Sequence, residues 1–231
     1  MKNRTLIFTA TYNESENIEN FLNKIESLNL NADILIVDDN SPDNTWKIIE
    51  NFNKKKIILI KREKKLGLDS AHRIAYNYAT ENSYGFLITL DADLSHDPNL
   101  IPKFIDYLET HPFVIGSRYM LGGNCEMRGY RKYLSLFGNK FIKFISKSNC
   151  DEFTTSFRGF NLSKLNGFHL NQVSSKGYSF MMETIFILNS KKIPIKQIPI
   201  NFKIRKKGES KIPKIEIFRT LINLFKLKFN L

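Results

Sequence analysis

A chain of 231 residues, 42% apolar and 13% aromatic, is long enough to bury one large α/β core and is too apolar to be disordered. Its two cysteines, Cys125 and Cys150, match no metal-ligand spacing and no disulfide framework, and suit a reduced, cytosolic setting. The net charge of +12 is uneven: residues 191–231 carry twelve Lys and Arg against two Glu, a balance of +10, which leaves +2 for the first 190 residues.

A basic tail on a nearly neutral body suits a polyanionic surface, either anionic lipid or nucleic acid. The N-terminus leads straight into a strand-like run with no cleavable signal. No apolar stretch approaches the roughly 20 residues needed to span a bilayer. The sequence therefore predicts a cytoplasmic chain that does not cross a membrane by itself.

In chain order, Thr5-Leu6-Ile7-Phe8-Thr9 reads as a buried strand with residues 10–14 as its exit loop. A helix follows over 15–28, with Ile18, Phe21, Leu22, Ile25 and Leu28 on one stripe. The second strand, Ile34-Leu35-Ile36-Val37, ends in Asp38-Asp39-Asn40, and Ser41-Pro42 reads as a helix N-cap with proline at the first helical position. Ile57-Ile58-Leu59-Ile60 is a third strand, followed by a basic loop over 61–65, Leu66-Gly67 and a helix through 71–79.

The fourth strand opens at Phe86 and ends abruptly in Asp91-Ala92-Asp93-Leu94-Ser95-His96. Two carboxylates at i and i+2, just past a strand end, suit one hard cation, which in turn holds a diphosphate. A lone D-x-D is as readily a solvated acidic turn, so its weight comes from its company.

Strand and helix alternate throughout, which predicts an open, mostly parallel sheet with helices on both faces. Ligands of such sheets sit outside the carboxyl ends of the strands. Residues 11–14, 38–41, 61–67 and 91–96 all fall there. Neither G-x-G-x-x-G nor G-x-x-x-x-G-K-[ST] is present, which removes the main support for dinucleotide and P-loop readings.

Beyond Pro98 come a helix near 99–108, the run Phe113-Val114-Ile115 with Gly116-Ser117-Arg118-Tyr119, and a helix over 129–146. On that helix Arg131 and Ser135 share a face, while Leu134, Phe137, Phe141, Phe144 and Ile145 form an apolar stripe. A further helix near 180–188 contains Glu183, either a structural partner for a basic loop or a site residue. Residues 193–202, with Pro194 and Pro199, read as an edge strand or extended arm. His96 reads as a polar loop residue, because the carboxylates already suit a hard ion. His72, His111 and His169 show no metal spacing.

Ala10-Thr11-Tyr12-Asn13-Glu14, Val37-Asp38-Asp39-Asn40-Ser41-Pro42-Asp43, Leu66-Gly67-Leu68, Asp91-Ala92-Asp93, Gly116-Ser117-Arg118-Tyr119, the Thr-Thr-Ser-Phe-Arg run at 154–158 and Gly208-Glu209-Ser210-Lys211 occur in that order. This series resembles the dolichyl-phosphate mannosyltransferases (polyprenol monophosphomannose synthases), inverting transferases with an A-type glycosyltransferase (GT-A) fold. The similarity spans residues 6–211. Gly-Glu-Ser-Lys after Ser-Phe-Arg is its narrowest motif.

The resemblance implies a nucleotide-sugar pocket lined by Thr11, Tyr12, Glu14 and Asp39, with Asp39 on the base. It implies Mg²⁺ or Mn²⁺ held by Asp91 and Asp93 with Ser95 at a third metal-side position. It places Arg118, Arg131 and Ser135 on the acceptor phosphate. Arg158, Arg205 and Lys211 belong to motifs that close over the donor phosphates and sugar. The implied donor is GDP-mannose and the implied acceptor a polyprenyl phosphate.

The chain departs from the family at Ala10 (usually proline), Asn40 and Asp69 (usually glycine), Glu152 (usually aspartate) and Ile204, which replaces the aspartate beside Arg205.

The domain reading is a catalytic domain over 1–212 and a basic amphipathic helix over 213–231. On that helix Ile215, Phe218, Leu221, Ile222 and Phe225 share a face, amid Lys214, Arg219, Lys226 and Lys228. It docks on an anionic membrane surface or on a membrane-spanning partner subunit. Two other readings stand beside this one. The first is a transferase of the same fold moving glucose or N-acetylhexosamine, since nothing in the sequence reads the donor's hydroxyls. The second is a nucleic-acid binder using the basic tail, which leaves Asp91 and Asp93 without a use.

Overall fold

The computed structural model describes residues 4–52, 56–205 and 223. Lys211, the Gly-Glu-Ser-Lys motif and the predicted C-terminal helix, apart from Asn223, lie outside them.

The chain begins with β1 (Thr5–Thr11), α1 (Ile18–Ser27), β2 (Ala32–Asp38), α2 (Thr45–Asn51), β3 (Ile57–Lys61), α3 (Leu68–Glu81) and β4 (Phe86–Thr89). It continues with α4 (Ile101–Leu108), β5 (Phe113–Ser117), β6 (Asn124–Cys125), α5 (Tyr130–Ser146), β7 (Arg158–Asn161), α6 (Tyr178–Ser190), β8 (Ile195–Pro199) and β9 (Asn201–Phe202). Seven strands form one sheet in the order β3-β2-β1-β4-β7-β5-β8, with β6 and β9 paired separately. All neighbours in the large sheet are parallel except β7, which runs antiparallel to both β4 and β5.

The period of two along each strand sorts the core into two layers. Leu6 and Phe8 of β1 face one layer with Leu35, Val37, Tyr76 and Phe180. Ile7 faces the other with Phe21, Ile34, Ile36, Phe86 and Phe104. Both faces are apolar because helices cover both, as continuous apolar strand sequences require. The strand order reverses between β1 and β4, and the crevice outside their carboxyl ends is where such sheets place ligands.

Two local readings change. Ser41 does not cap a helix: α2 starts only at Thr45, after Asn44 at φ 61°. The Ser41 amide and hydroxyl instead donate to Asp38 at 2.8 and 2.6 Å. Residues 158–161, given no element from the sequence, form the buried strand β7.

His72 is buried between Phe8 and Phe180. Burial, with a smaller contribution from nearby Arg158, pushes its pKa down to about 3. The folded chain therefore holds a neutral imidazole that the unfolded chain protonates below its ordinary pKa. Stability is full above pH ~6.5 and is lost as pH falls toward 3, by about 1.4 kcal/mol per unit for this group. Denaturant titrations at pH 7.5 and 5.5 are expected to show that loss, and His72→Phe to reduce the slope. An identical slope in that variant would remove His72 from the account.

Candidate active site

Three strand exits meet at the crevice. Past β1 and β2 the link is Asp38, fully buried, which accepts the Thr11 hydroxyl at 2.7 Å as well as both Ser41 donors. Ser41 Oγ accepts the Asn13 amide at 3.0 Å, and Thr45 Oγ1 accepts the Glu14 amide at 3.0 Å. The loop carrying Thr11, Tyr12 and Glu14 is thereby tied to the loop carrying Asp39. Asn40 sits at φ 57°, in the left-handed region where the family's glycine is at home and asparagine is the best-tolerated substitute.

Asp39 is already engaged. Arg62 Nη1 donates to one oxygen at 2.8 Å and the Gly67 amide to the other at 3.0 Å. Each carboxylate oxygen can accept more than one donor, so the group retains acceptor capacity for a base. Arg62 is the residue that the sequence left inside an undifferentiated basic loop. Its buried guanidinium also reaches Ser70 at 2.8 Å and so fixes the loop to α3. Lys65 lies 3.8 Å over the Tyr12 ring. Asp69, unusual for the family, pairs with Arg73 at 3.1 Å in the first turn of α3, where an acid suits the helix N-terminus.

The third exit carries the acid pair. Asp93 accepts the Ser95 amide at 2.9 Å and pairs with Arg205 at 2.6 Å. The same guanidinium lies 3.8 Å from Glu14. Arg205 therefore joins the predicted nucleotide loop to the predicted metal loop, and these two acids take the place of the aspartate that Ile204 replaces. Asp91 accepts the Ser156 hydroxyl at 2.6 Å. Burial by the surrounding protein, aided by repulsion from Asp93, raises the Asp91 carboxyl above its ordinary range against the pull of His96. About 40% of the Asp91 side chain remains exposed, open to the crevice.

His96, read as a polar loop residue, is buried. Its Nδ1 lies 3.4 Å from the Asp91 amide and its Nε2 3.1 Å from Thr155 Oγ1. Burial lowers its pKa, so a neutral ring backs the acid pair.

The donor set fits a hard cation. Among the described residues no group of three or more His, Cys, Asp or Glu side chains could hold a metal. Two carboxylates completed by substrate phosphates and water are, however, the usual way proteins hold Mg²⁺. The raised Asp91 carboxyl belongs to a pair that a divalent charge would relieve.

Arg118 leaves the end of β5 into a deep ion pair. Glu152 takes its Nε and Nη2 at 2.7 Å each, and Thr154 Oγ1 accepts Nη2 at 2.7 Å. Both partners are buried, and the paired carboxylate raises the guanidinium pKa against burial. Gly123 makes this possible: a Cβ there would lie 2.5 Å from the Ser117 carbonyl oxygen and 2.8 Å from the Arg118 carbonyl carbon. Next in sequence, the Tyr119 hydroxyl donates to Ser135 Oγ on α5 at 2.7 Å. Arg131 lies in the first turn of the same helix, one turn before Ser135. Tyr119 thus ties the loop of Arg118 to Ser135, and Glu152 holds the Arg118 side chain; neither residue was assigned a role from the sequence.

Arg158 and Glu183 stand apart from this group. Arg158 is buried and donates to the carbonyls of Thr155, Phe153 and Met181. These bonds fasten β7 to α6. Glu183 accepts the Ser174 and Ser175 amides, which ties α6 to the loop before it.

Comparison with known proteins bears on the family and the fold. Residues 6–167 match the model of Glycosyl transferase family 2. The chain is 31% identical to an undecaprenyl-phosphate mannosyltransferase of Micrococcus luteus, over 90% of this chain and 87% of the relative. It is 31% identical to a dolichol-phosphate mannosyltransferase of Pyrococcus furiosus, over 96% of this chain but 62% of that longer protein. Its fold is similar to glucosyl-3-phosphoglycerate synthase from Mycobacterium tuberculosis, with TM-score 0.70 at 14% identity over 98% of this chain and 80% of that one. It is also similar to a mannosyltransferase from Pyrobaculum calidifontis solved with GDP-Man and Mn²⁺, with TM-score 0.56 at 16% identity over 98% and 70%. With the family model covering well over half of its length, this chain belongs to glycosyl transferase family 2.

Proposed function

We propose that this chain transfers mannose from GDP-mannose to the phosphate of a polyprenyl phosphate, with inversion at the anomeric carbon. The observation that carries the reading is the pairing of two groups at one sheet edge. One is an acid pair bridged by Arg205 to the Glu14 loop, and the other is a guanidinium held by Glu152 over the ring of Tyr119, whose hydroxyl bonds Ser135. The names of the relatives at about 30% identity point the same way.

In this reading Thr11, Tyr12, Glu14 and Asp39 bind the nucleotide, and Arg205 and Lys211 its phosphates. Asp91 and Asp93, with Ser95 beside them, would hold Mg²⁺ or Mn²⁺, which when bound neutralises charge on the diphosphate. One oxygen of the acceptor phosphate forms the new bond to the anomeric carbon. The bond from that carbon to the donor diphosphate breaks, and its electron pair leaves with the nucleoside diphosphate. The acceptor's second pKa is about 6, so the phosphate is already ionised near neutral pH and needs no general base. Arg118, Arg131 and Ser135 orient it, the arginines because a planar fork matches phosphate oxygens.

No helix among the described residues is long and apolar enough to cross a membrane. A peripheral position on the cytoplasmic face, with 213–231 as an anchor or as a dock for a membrane-spanning subunit, completes the proposal.

A donor screen tests it, comparing GDP-mannose, UDP-glucose and UDP-N-acetylglucosamine against one polyprenyl phosphate. Preference for a UDP sugar would replace mannose in the reading and keep the acceptor. Arg131→Ala is expected to raise the acceptor KM about tenfold or more, the cost of losing a charged hydrogen bond, with donor affinity held. A fall in donor affinity with unchanged acceptor kinetics would move Arg131 to the nucleotide side.

A further inference from the structure

His96 is buried between two loops of the site, and both of its ring nitrogens are engaged. Nδ1 accepts the Asp91 amide at 3.4 Å, and Nε2 lies 3.1 Å from Thr155 Oγ1. An acceptor at Nδ1 puts the ring proton on Nε2, which donates to the threonine. A protonated ring has no acceptor for the Asp91 amide.

Thr155 continues the link. Its amide donates to Glu152 Oε1 at 3.2 Å, the oxygen that also takes Arg118 Nη2 at 2.7 Å. Its hydroxyl oxygen also accepts the Phe157 amide at 3.2 Å, which fixes its place. One neutral ring therefore joins the loop of the acid pair, at Asp91, to the carboxylate that holds Arg118. Ser156 ties the same two loops at Asp91 Oδ1, but the partner of His96 is the one that bonds Glu152.

Packing does not account for a histidine here. The ring lies between Phe157 and Phe202, with centroids 5.4 and 5.2 Å away, and Phe202 also sits 5.1 Å from the Arg118 guanidinium carbon. Phenylalanine would fill that space and leave the Asp91 amide and the Thr155 hydroxyl unlinked. The two nitrogens are what the histidine adds.

We propose that His96 is a positioning residue that sets the spacing between the metal-side carboxylates and the acceptor-side guanidinium, acting through Thr155 and Glu152. The inference rests on the roles given to those groups under the proposed function. A displacement between two phosphates needs both held at a set separation, and misplacement by about 1 Å costs about 100-fold.

The test reads two affinities by titration calorimetry, without turnover. One is for Mn²⁺ in the presence of GDP, and the other is for a short soluble polyprenyl phosphate with Mn²⁺ and GDP present. His96→Phe is expected to weaken both about fivefold, the cost of one hydrogen bond. Thr155→Val should weaken Mn²⁺ binding about as much, although Thr155 is assigned to neither ligand. Thr155→Ser keeps the hydroxyl and should bind both ligands as the parent does. His96→Phe/Thr155→Val should be no weaker than His96→Phe alone, because the two residues share one link. A histidine that only supports the fold would lower the melting temperature and leave both affinities in place.

If His96→Phe does not fold, the two threonine variants carry the test. Parental affinities in folded His96→Phe or in Thr155→Val would overturn the proposal. Loss of one affinity alone in His96→Phe, or additive losses in the double variant, would do the same. A parent that binds no Mn²⁺ or no polyprenyl phosphate would overturn it together with the site assignment. A parent that shows the link but transfers no sugar would leave it standing and end the transferase reading.

Discussion

Asp93→Ala is expected to lower transfer at least about 100-fold, because it removes one of two carboxylates beside the leaving diphosphate. Asp93 has three neighbours that define the loss: Asp91, whose carboxyl it pushes upward, the Ser95 amide and Arg205. The Ser95 and Arg205 contacts are also structural, so the alanine variant should lose about 1 kcal/mol of stability as well. Asp93→Asn keeps an acceptor oxygen for the Ser95 amide while removing the charge. It should retain more of the stability and recover little of the activity. Chelation should mimic both variants, with Mn²⁺ or Mg²⁺ restoring the parent alone. Unchanged turnover in EDTA, or an Asp93→Ala enzyme of parental rate, would defeat the metal assignment.

Glu152→Gln should have the largest effect on stability. It leaves the Arg118 guanidinium buried opposite a neutral amide, and breaking a buried pair by removing one charge costs about 3–5 kcal/mol. Glu152→Asp keeps the charge that the family usually places there, but shortens the reach to Nε and Nη2, which now lie at 2.7 Å. It should fall between parent and glutamine variant. Arg118→Met/Glu152→Leu removes both charges and should recover stability without recovering acceptor use. That separation of stability, read by denaturant titration, from acceptor KM distinguishes a phosphate-binding arginine from a structural one. Normal acceptor kinetics in the double variant would leave Arg118 structural.

Much of this was legible in the sequence because the strands are continuous apolar runs whose exits are polar, and exits define the site in an open α/β sheet. β7 escaped notice because Arg158 and Asn161 interrupt any apolar run there. They are tolerated in a buried strand only because Arg158 bonds three carbonyls and Asn161 donates to the Leu108 carbonyl. Ser41-Pro42 carries a genuine capping signature, but Asp38 claims both of the serine's donors. On α5 the periodicity located the stripe correctly and said nothing of which side it faces, since solvent-facing and core-facing stripes share one pattern. The Arg118–Glu152 and Asp39–Arg62 pairs join residues 34 and 23 positions apart, separations at which local patterns carry no information.

The central claim is that a phosphate oxygen of a polyprenyl phosphate becomes bonded to the sugar. Incubation of the chain with GDP-mannose, Mn²⁺ and a polyprenyl phosphate, followed by mass spectrometry and NMR of the lipid fraction, tests it most directly. The account predicts a polyprenyl phosphate heavier by one hexose, linked through phosphate with inverted anomeric configuration, and released GDP. Free mannose with unmodified lipid, or a sugar with retained configuration, would contradict it.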